Sequence, residues 1–326
     1  MRILLSWRCF IVLIMTAGSP TSSYSQRHMT TPEFLQKGDT VALVATARKI
    51  ELESLRPAIS LLEKWGLHVV VGASIGAEEH QLAGPDSLRA ADFQKMIDDP
   101  SVKAVWAAKG GYGTVRFIDA IDFTRFRQKP KWVIGFSDMT VLHSHLNNMG
   151  IETVHGIMAF NAKTATPAAI ETLRKALFGE TLQYNVPSHP YNKLGKVSGE
   201  LVGGNLSVLY SILGSASQVD CRDKILFIED VDEYLYHIDR MMMNLKRNGW
   251  FQHVKGVIVG GMTEMNDNQV PWGKDALQII QDIFKDYDFP VIYNFPAGHI
   301  RDNRALIFGK QIEMDVRADG ASVIFQ

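Results

Sequence analysis

The amino-acid sequence predicts an α/β protein with a parallel, flavodoxin-like N-terminal domain and a smaller, β-rich C-terminal domain. In the first half, apolar runs typical of strands buried on both faces alternate with segments of helical spacing. Towards the C-terminus the apolar runs become short and are separated by turns. The chain has 326 residues, of which 46% are hydrophobic, and this is enough for two domains, each with a core.

The N-terminal domain is expected to alternate strand and helix in chain order. Apolar runs predict its strands at 40–45, 67–71, 102–108 and 132–135. Apolar spacing predicts its helices at 52–65, at 87–97, from about 114, at 139–146 and at 167–177. In such a sheet, sites lie beyond the carboxyl ends of the strands. The loop 109–113 and Ser137 both follow strands, so we expect them to be neighbours.

A turn-rich stretch at 185–196, which contains two prolines, is the predicted linker between a domain at 29–184 and one at 197–326. The second domain is expected to open with a strand that reaches a glycine turn at 203–204 and then a helix. Further strands are expected at 224–228, 257–261, 290–294, 306–309, 311–316 and 321–325.

Composition and the N-terminus limit the function classes. The formal net charge is −1, which does not favour a nucleic-acid partner, and two cysteines, Cys9 and Cys221, cannot form a disulfide framework. Residues 1–28 are expected to be a signal peptide or to follow a misassigned start, with Met29 as the true start. A cleaved leader implies a periplasmic or secreted protein, and a start at Met29 implies a cytoplasmic one. The apolar run at 9–15 is too short for a stable membrane span.

Ser137 lies where a strand is expected to turn sharply into a helix. This position pushes a serine hydroxyl out of the sheet and points the first N–H groups of the helix at it, as a nucleophile requires. The sequence is Gly-X-Ser-Asp, however, and not the common hydrolase motif Gly-X-Ser-X-Gly. Ser137 is therefore either a nucleophile or a helix N-cap. The glycine loop at 110–113 is a phosphate cradle, one wall of an oxyanion hole or a tight turn.

A serine nucleophile needs a base and an orienting acid. His299 lies in a loop whose direction is fixed by Pro296 and Gly298, whereas His143 is too far along the helix to reach back to Ser137. The candidates for the acid are Glu229 and Asp230 at the end of a predicted strand and Glu233 a turn later. Strand ends converge on one edge of the sheet, which favours Glu229 as the partner of His299. Each of the two residues can also be an ordinary structural histidine or a solvated carboxylate.

Taken together, these blocks resemble the LD-carboxypeptidase family of serine peptidases, which includes murein tetrapeptide carboxypeptidases and the related microcin C immunity peptidases. The resemblance extends from about Gly38 to the C-terminus. It is carried by seven blocks in order: 38–42, 110–113, 135–138, 203–206, 227–230, 238–240 and 298–299.

The resemblance implies that Ser137 is the nucleophile, His299 the general base and Glu229 its orienting acid. It also implies an oxyanion hole made of the backbone N–H groups of Gly111 and Asp138, with no metal or cofactor. The substrate would be a peptidoglycan-derived tetrapeptide that loses its terminal D-alanine, and the protein a homodimer.

One position departs from the family pattern, which usually has arginine where this chain has Lys109. Arginine can clamp a carboxylate with two parallel bonds, whereas lysine acts as a point charge. Lys109 and Arg240 are therefore both candidates for binding the substrate carboxylate, and Arg240 or a partner subunit would supply the fork that Lys109 lacks.

The sequence is also compatible with two other functions. One is a hydrolase of aminoacyl-nucleotide amides, for which Trp250 and Trp272 are candidates for an aromatic slot. The other is a module that binds cell-wall peptides without cutting them, and this predicts binding that does not depend on Ser137.

Overall fold

A computed structural model describes residues 29–326, and the predicted leader lies outside the described residues. In the first half the elements are β1 Thr40–Val44, α1 Arg56–Lys64, β2 His68–Val71, α2 Asp86–Asp98, β3 Val102–Ala107, α3 Thr124–Gln128, β4 Trp132–Gly135, α4 Thr140–Asn148, β5 Thr153–His155 and α5 Pro167–Phe178. In the second half they are β6 Gln183–Pro187, β7 Gly195–Asn205, α6 Leu206–Ser211, β8 Ile225–Val231, α7 Leu235–Arg247, β9 Gly256–Thr263, α8 Ala276–Phe284, β10 Val291–Ile292, β11 Leu306–Phe308, β12 Gln311–Arg317 and β13 Gly320–Phe325.

The strands form two sheets. The first has the order β11-β5-β4-β3-β1-β2 and is parallel except for β11, which pairs antiparallel to β5. The second has the order β10-β9-β8-β7-β12-β13-β6, with a parallel half and an antiparallel half. The predicted two-domain α/β fold with a parallel N-terminal sheet is confirmed. The second domain also contains α7 and α8, whose apolar faces pack on β8 and β9.

Three local predictions differ from the structure. The helix expected from about 114 is replaced by two short 3-10 turns and α3, because Thr114 is held by side-chain contacts to Asp138. The glycines at 203–204 form no turn but continue β7. Part of the predicted linker is β6, in which exposed residues alternate with the buried Tyr184 and Val186, and this strand pairs with β13.

One apolar core joins the two sheets. Trp106, Ile134 and Phe308 of the first sheet belong to the same buried cluster as Phe227 and Ile258 of the second. Because β4 and β8 both end at this seam, Ser137 and Glu229 come from different domains but lie near each other. Among residues 29–326, the helices are all too short or too polar to cross a membrane.

Candidate active site

Ser137 follows β4 at the start of a 3-10 turn that continues into α4. Its φ is 61°, a left-handed backbone conformation that is uncommon for a residue with a side chain. Strain of this kind is concentrated at functional sites, where it fixes the direction of a side chain. The turn therefore presents the Ser137 hydroxyl beyond the edge of the sheet, as the sequence predicted.

His299 lies in the loop after β10, and its Nε2 is 3.0 Å from the Ser137 hydroxyl oxygen. The loop is held by a hydrogen bond of its own backbone, because the N–H of Gly298 donates to Oδ1 of the buried Asn303 at 2.8 Å. The ring of Phe136 packs against the imidazole with 4.7 Å between ring centres. These contacts fix the direction of the imidazole towards Ser137.

Glu229 lies near the end of β8 and is fully buried. Its Oε2 accepts hydrogen bonds from the imidazole Nδ1 of His299 at 2.6 Å and from the backbone N–H of His299 at 3.1 Å. With the proton assigned to Nδ1, Nε2 is left free to accept the proton of the Ser137 hydroxyl. Burial alone lowers the pKa of His299, but the charge and hydrogen bond of Glu229 outweigh it, so the pKa is raised.

These groups open into a pocket of about 720 Å³. Arg48, Lys109 and Arg301 bring positive charge to its lining. The acidic residues of the lining are Asp230, Asp232, Glu233 and Glu264. Burial, together with the neighbouring charge of Glu229, raises the pKa of Asp230 to about 7. The pocket thus carries both charges around the Ser137 hydroxyl and can hold a zwitterionic substrate.

The glycine loop forms a wall of this pocket. A Cβ atom built on Gly110 would lie 3.5 Å from Cβ of Ser137, and Gly111 lines the pocket next to it. The carboxylate of Asp138 points inwards, where its Oδ2 accepts from the backbone N–H and the hydroxyl of Thr114 at 2.9 and 2.6 Å. Burial raises the pKa of Asp138. The side chain of Asp138 therefore anchors the loop, and only its backbone remains for an oxyanion hole.

The two residues predicted to bind the substrate carboxylate lie in different parts of the structure. Lys109 lines the pocket, with Nζ 5.7 Å from the ring centre of Phe160. Arg240 does not line it: the residue is exposed on α7 and stacks on Tyr236 at 5.1 Å. It lies instead at a separate hollow, so the structure does not bring Arg240 together with Ser137 within one chain.

Both domains of the chain match domains of a known protein family. A model of the LD-carboxypeptidase N-terminal domain matches residues 41–156, and one of the C-terminal domain matches residues 198–314. A Bacillus subtilis protein described as a probable murein peptide carboxypeptidase is 37% identical over 308 residues, which cover 90% of this chain and 93% of the relative. The chain belongs to the LD-carboxypeptidase family.

Solved structures show the same LD-carboxypeptidase architecture. The crystal structure of muramoyltetrapeptide carboxypeptidase from Oxalobacter formigenes superposes with a TM-score of 0.81 and 25% identity, and it covers 88% of this chain and 98% of that one. Wild-type microcin C7 self-immunity protein MccF has the same fold, with a TM-score of 0.80 at 21% identity over 90% of this chain and 98% of that one.

Three residues of the candidate site are not predicted by the sequence. Asn205 donates from Nδ2 to Asp230 at 2.9 Å and lines the pocket. Asn303 supports the His299 loop, and Arg48 lies against the glycine loop. Asn205 belongs to a block that the sequence comparison singled out, so it could have been found. Arg48 and Asn303 carry no comparable signal. Within residues 29–326, no three His, Cys, Asp or Glu side chains are grouped so as to hold a metal ion.

Proposed function

We propose that this protein is a serine-type LD-carboxypeptidase that removes the terminal D-alanine from murein tetrapeptide through an acyl-enzyme. The observation that carries the proposal is the hydrogen-bonded series Ser137–His299–Glu229, with 3.0 Å between hydroxyl and imidazole and 2.6 Å between imidazole and carboxylate. Nucleophile, base and orienting acid stand within the reach that this chemistry requires.

The reaction would begin when Oγ of Ser137 attacks the carbonyl carbon and Nε2 of His299 takes the hydroxyl proton. Glu229 stabilises the imidazolium that forms. The backbone N–H groups of Gly111 and Asp138 are assigned to the negatively charged carbonyl oxygen. His299 then returns the proton to the amine of the leaving D-alanine. Water repeats the sequence on the acyl-enzyme and releases the shortened peptide.

The charges of the pocket support this substrate class. A murein tetrapeptide ends in a carboxylate next to the bond that is cut, and the cationic residues of the pocket suit that group. The diamino acid before it carries an ammonium group on its side chain, which the acidic residues of the lining suit. Because the mechanism uses only side chains and backbone, a chelator should leave turnover unchanged.

Mass spectrometry of tetrapeptide incubated with enzyme tests the proposal. The wild type should convert it to tripeptide with the loss of one alanine, and Ser137→Ala should not. Ser144→Ala is the matched control, since Ser144 is buried on the same helix and its hydroxyl has no hydrogen-bond partner among the described residues. An active Ser137→Ala, or an inactive wild type, contradicts the proposal.

The second candidate is hydrolysis of an aminoacyl-nucleotide amide. It is favoured by the shared fold with MccF, solved structures of which are described as complexes with aspartyl sulfamoyl adenosine and glutamyl sulfamoyl guanosine. The two tryptophans predicted to form a base slot do not support it: Trp250 is buried in the second core, and Trp272 does not line the pocket. Parallel assays of both substrate types separate the two functions, and binding without turnover of either would favour the non-catalytic module.

A further inference from the structure

Arg48 differs from the other two cationic residues of the pocket in its contacts. Nζ of Lys109 lies over the Phe160 ring, and Nε of Arg301 donates to the carbonyl oxygen of Thr164 at 3.2 Å. The guanidinium of Arg48 has no hydrogen bond, ion pair or ring contact with any residue from 29 to 326. All five of its N–H groups are therefore available to a ligand in the pocket.

The position of Arg48 is set by the glycine loop. Its backbone N–H donates to the carbonyl oxygen of Gly110 at 3.4 Å. Its side chain crosses Gly111 so closely that a Cβ atom there would lie 2.6 Å from Cδ and Nε of Arg48. Gly110 lies next to Ser137, and Gly111 lies next to the Arg48 side chain, so these two glycines separate Ser137 from Arg48. Arg48 and Ser137 thus line the same pocket, with the glycine loop between them.

This position matches a requirement of carboxypeptidase chemistry. In the substrate, three bonds separate the carbonyl carbon that is attacked from the carbon of the terminal carboxylate, so the two lie less than about 4 Å apart. The cation that binds the carboxylate must therefore adjoin the nucleophile and the oxyanion wall. A guanidinium also fits a carboxylate with two parallel hydrogen bonds, which an ammonium cannot do.

We infer that Arg48 binds the terminal carboxylate of the substrate and so makes the enzyme specific for free C-termini. The inference rests on the proposed function and names the anchor of that same site. It replaces Lys109, whose ammonium lies over an aromatic ring and lacks the fork.

The test compares two substrates that differ only in the group that Arg48 is inferred to bind. One is the tetrapeptide with a free terminal carboxylate, and the other is the same peptide with a C-terminal amide. For each enzyme the measured quantity is kcat/KM for the acid divided by kcat/KM for the amide. The enzymes are the wild type, Arg48→Gln, Arg48→Lys and Lys109→Met. The matched control is Arg247→Gln, because Arg247 is an exposed arginine of α7 that does not line the pocket.

The wild type should favour the acid by about 10- to 100-fold, as expected for a charge-assisted pair of hydrogen bonds. Arg48→Gln should bring the ratio close to one through a higher KM for the acid, while cleavage of the amide is retained. Arg48→Lys should give an intermediate ratio, and Arg247→Gln should keep the ratio of the wild type. Cleavage of the amide by Arg48→Gln also shows that the variant is folded.

Three results would overturn the inference. In the first, Arg48→Gln reduces cleavage of acid and amide by the same factor, so that Arg48 only supports the loop. In the second, the ratio collapses in Lys109→Met and stays unchanged in both Arg48 variants. In either case the proposed peptidase activity stands. In the third, the wild type cuts neither peptide, and then the proposed function fails together with the role of Arg48.

Discussion

At the scale of single residues, His299 gives the site its pH dependence. Its imidazole contacts a fully buried carboxylate on one side and the Ser137 hydroxyl on the other. A general base acts only in its neutral form, and the contact with Glu229 favours the protonated form. Since the pKa of His299 is raised, activity should fall with acid at a pH above the ordinary histidine pKa of about 6.5.

Glu229→Gln tests this assignment. Removal of the charge lowers the pKa of His299, so the acid limb of the kcat/KM profile should move to lower pH. The imidazolium also loses its stabilising partner, and kcat should fall by about 10²- to 10⁴-fold. Profiles from pH 4 to 9 measure both effects. A lower rate with an unmoved acid limb would mean that Glu229 does not act through His299.

Asp138 is the second residue whose function follows from its contacts. Its carboxylate is the acceptor for both donors of Thr114, so Asp138→Ala leaves a buried N–H and a hydroxyl without a partner. We expect a loss of about 2 to 4 kcal/mol in the free energy of unfolding and a lower kcat, because the glycine loop is attached to Thr114. Thr114→Ser retains both donors and is the control. Denaturant unfolding and steady-state kinetics measure the two quantities, and a fully active, fully stable Asp138→Ala would contradict the assignment.

The sequence could predict Ser137, Glu229 and His299 because each lies in a block that carries the family resemblance. Local pattern alone left a helix cap, a solvated carboxylate and a structural histidine as alternatives. Arg48 and Asn303 could not be predicted in this way. Their significance comes from contacts with Gly111 and Gly298, and neither side chain belongs to a pattern that a single sequence displays. The place of Arg240 outside the pocket could not be predicted for the same reason, since its block gives the residue type but not the direction of its helix face.

At the scale of elements, the backbone conformation of Gly203 in β7 leaves no room for a Cβ atom next to β8. The φ of Gly203 is 134°, and a Cβ atom there would lie 1.9 Å from the carbonyl oxygen of Phe227. Gly203→Ala should therefore lower the free energy of unfolding by at least about 3 kcal/mol, because either the strand pairing or the backbone has to shift. Urea unfolding measures the loss.

Gly199→Ala is the matched control in the same strand. A Cβ atom at Gly199 meets side-chain atoms of Lys255 at 3.3 Å and Ile225 at 3.4 Å, and no backbone atom closer than 3.5 Å. Its cost should be under about 1 kcal/mol. Equal losses of stability in the two variants would contradict the explanation that a Cβ atom at residue 203 collides with the backbone of Phe227.

The same strands show the limit of prediction from local pattern. Apolar runs located β1, β3, β4 and β8 well, because strands that are buried on both faces need no partner to be recognised. The glycines at 203–204 were predicted to form a turn, but they continue β7. Glycine is needed at 203 because β8 lies next to it, and the local sequence does not show this neighbour. The apolar run of β11 predicts a strand but not the sheet to which it belongs, because its partner β5 lies in the other domain.

At the scale of the whole molecule, the site exists only because the two domains meet. Ser137 comes from the first sheet, Glu229 from the second, and the apolar core that contains Phe227 and Phe308 continues between them. The domain boundary at 185–196 therefore does not mark two independent units of function. The predicted homodimer stays a prediction, and sedimentation of the purified protein would test it.

One buried hydrogen bond crosses this seam directly behind the nucleophile. The backbone N–H of Asn205, at the end of β7, donates to the hydroxyl of Thr140 at 2.9 Å. Thr140 begins α4, three residues after Ser137, and Asn205 also holds Asp230, the neighbour of Glu229. The bond thus links α4, which follows the nucleophile, to the end of β7. The side chain of Asn205 in turn links β7 to β8, the strand that carries the orienting acid.

Thr140→Val removes this bond at almost constant volume and leaves the N–H of Asn205 buried without its acceptor. We expect a loss of about 1 to 3 kcal/mol in stability. We also expect a fall in kcat of roughly 10²-fold, since a shift of about 1 Å between Ser137 and His299 is enough for such a loss. Thr140→Ser is the control, because it keeps the hydroxyl and loses only a methyl group. If the serine variant loses as much kcat as the valine variant, packing and not the hydrogen bond holds the two domains in register. If only valine is slow, at unchanged KM, the alignment of the two domains limits the chemical step.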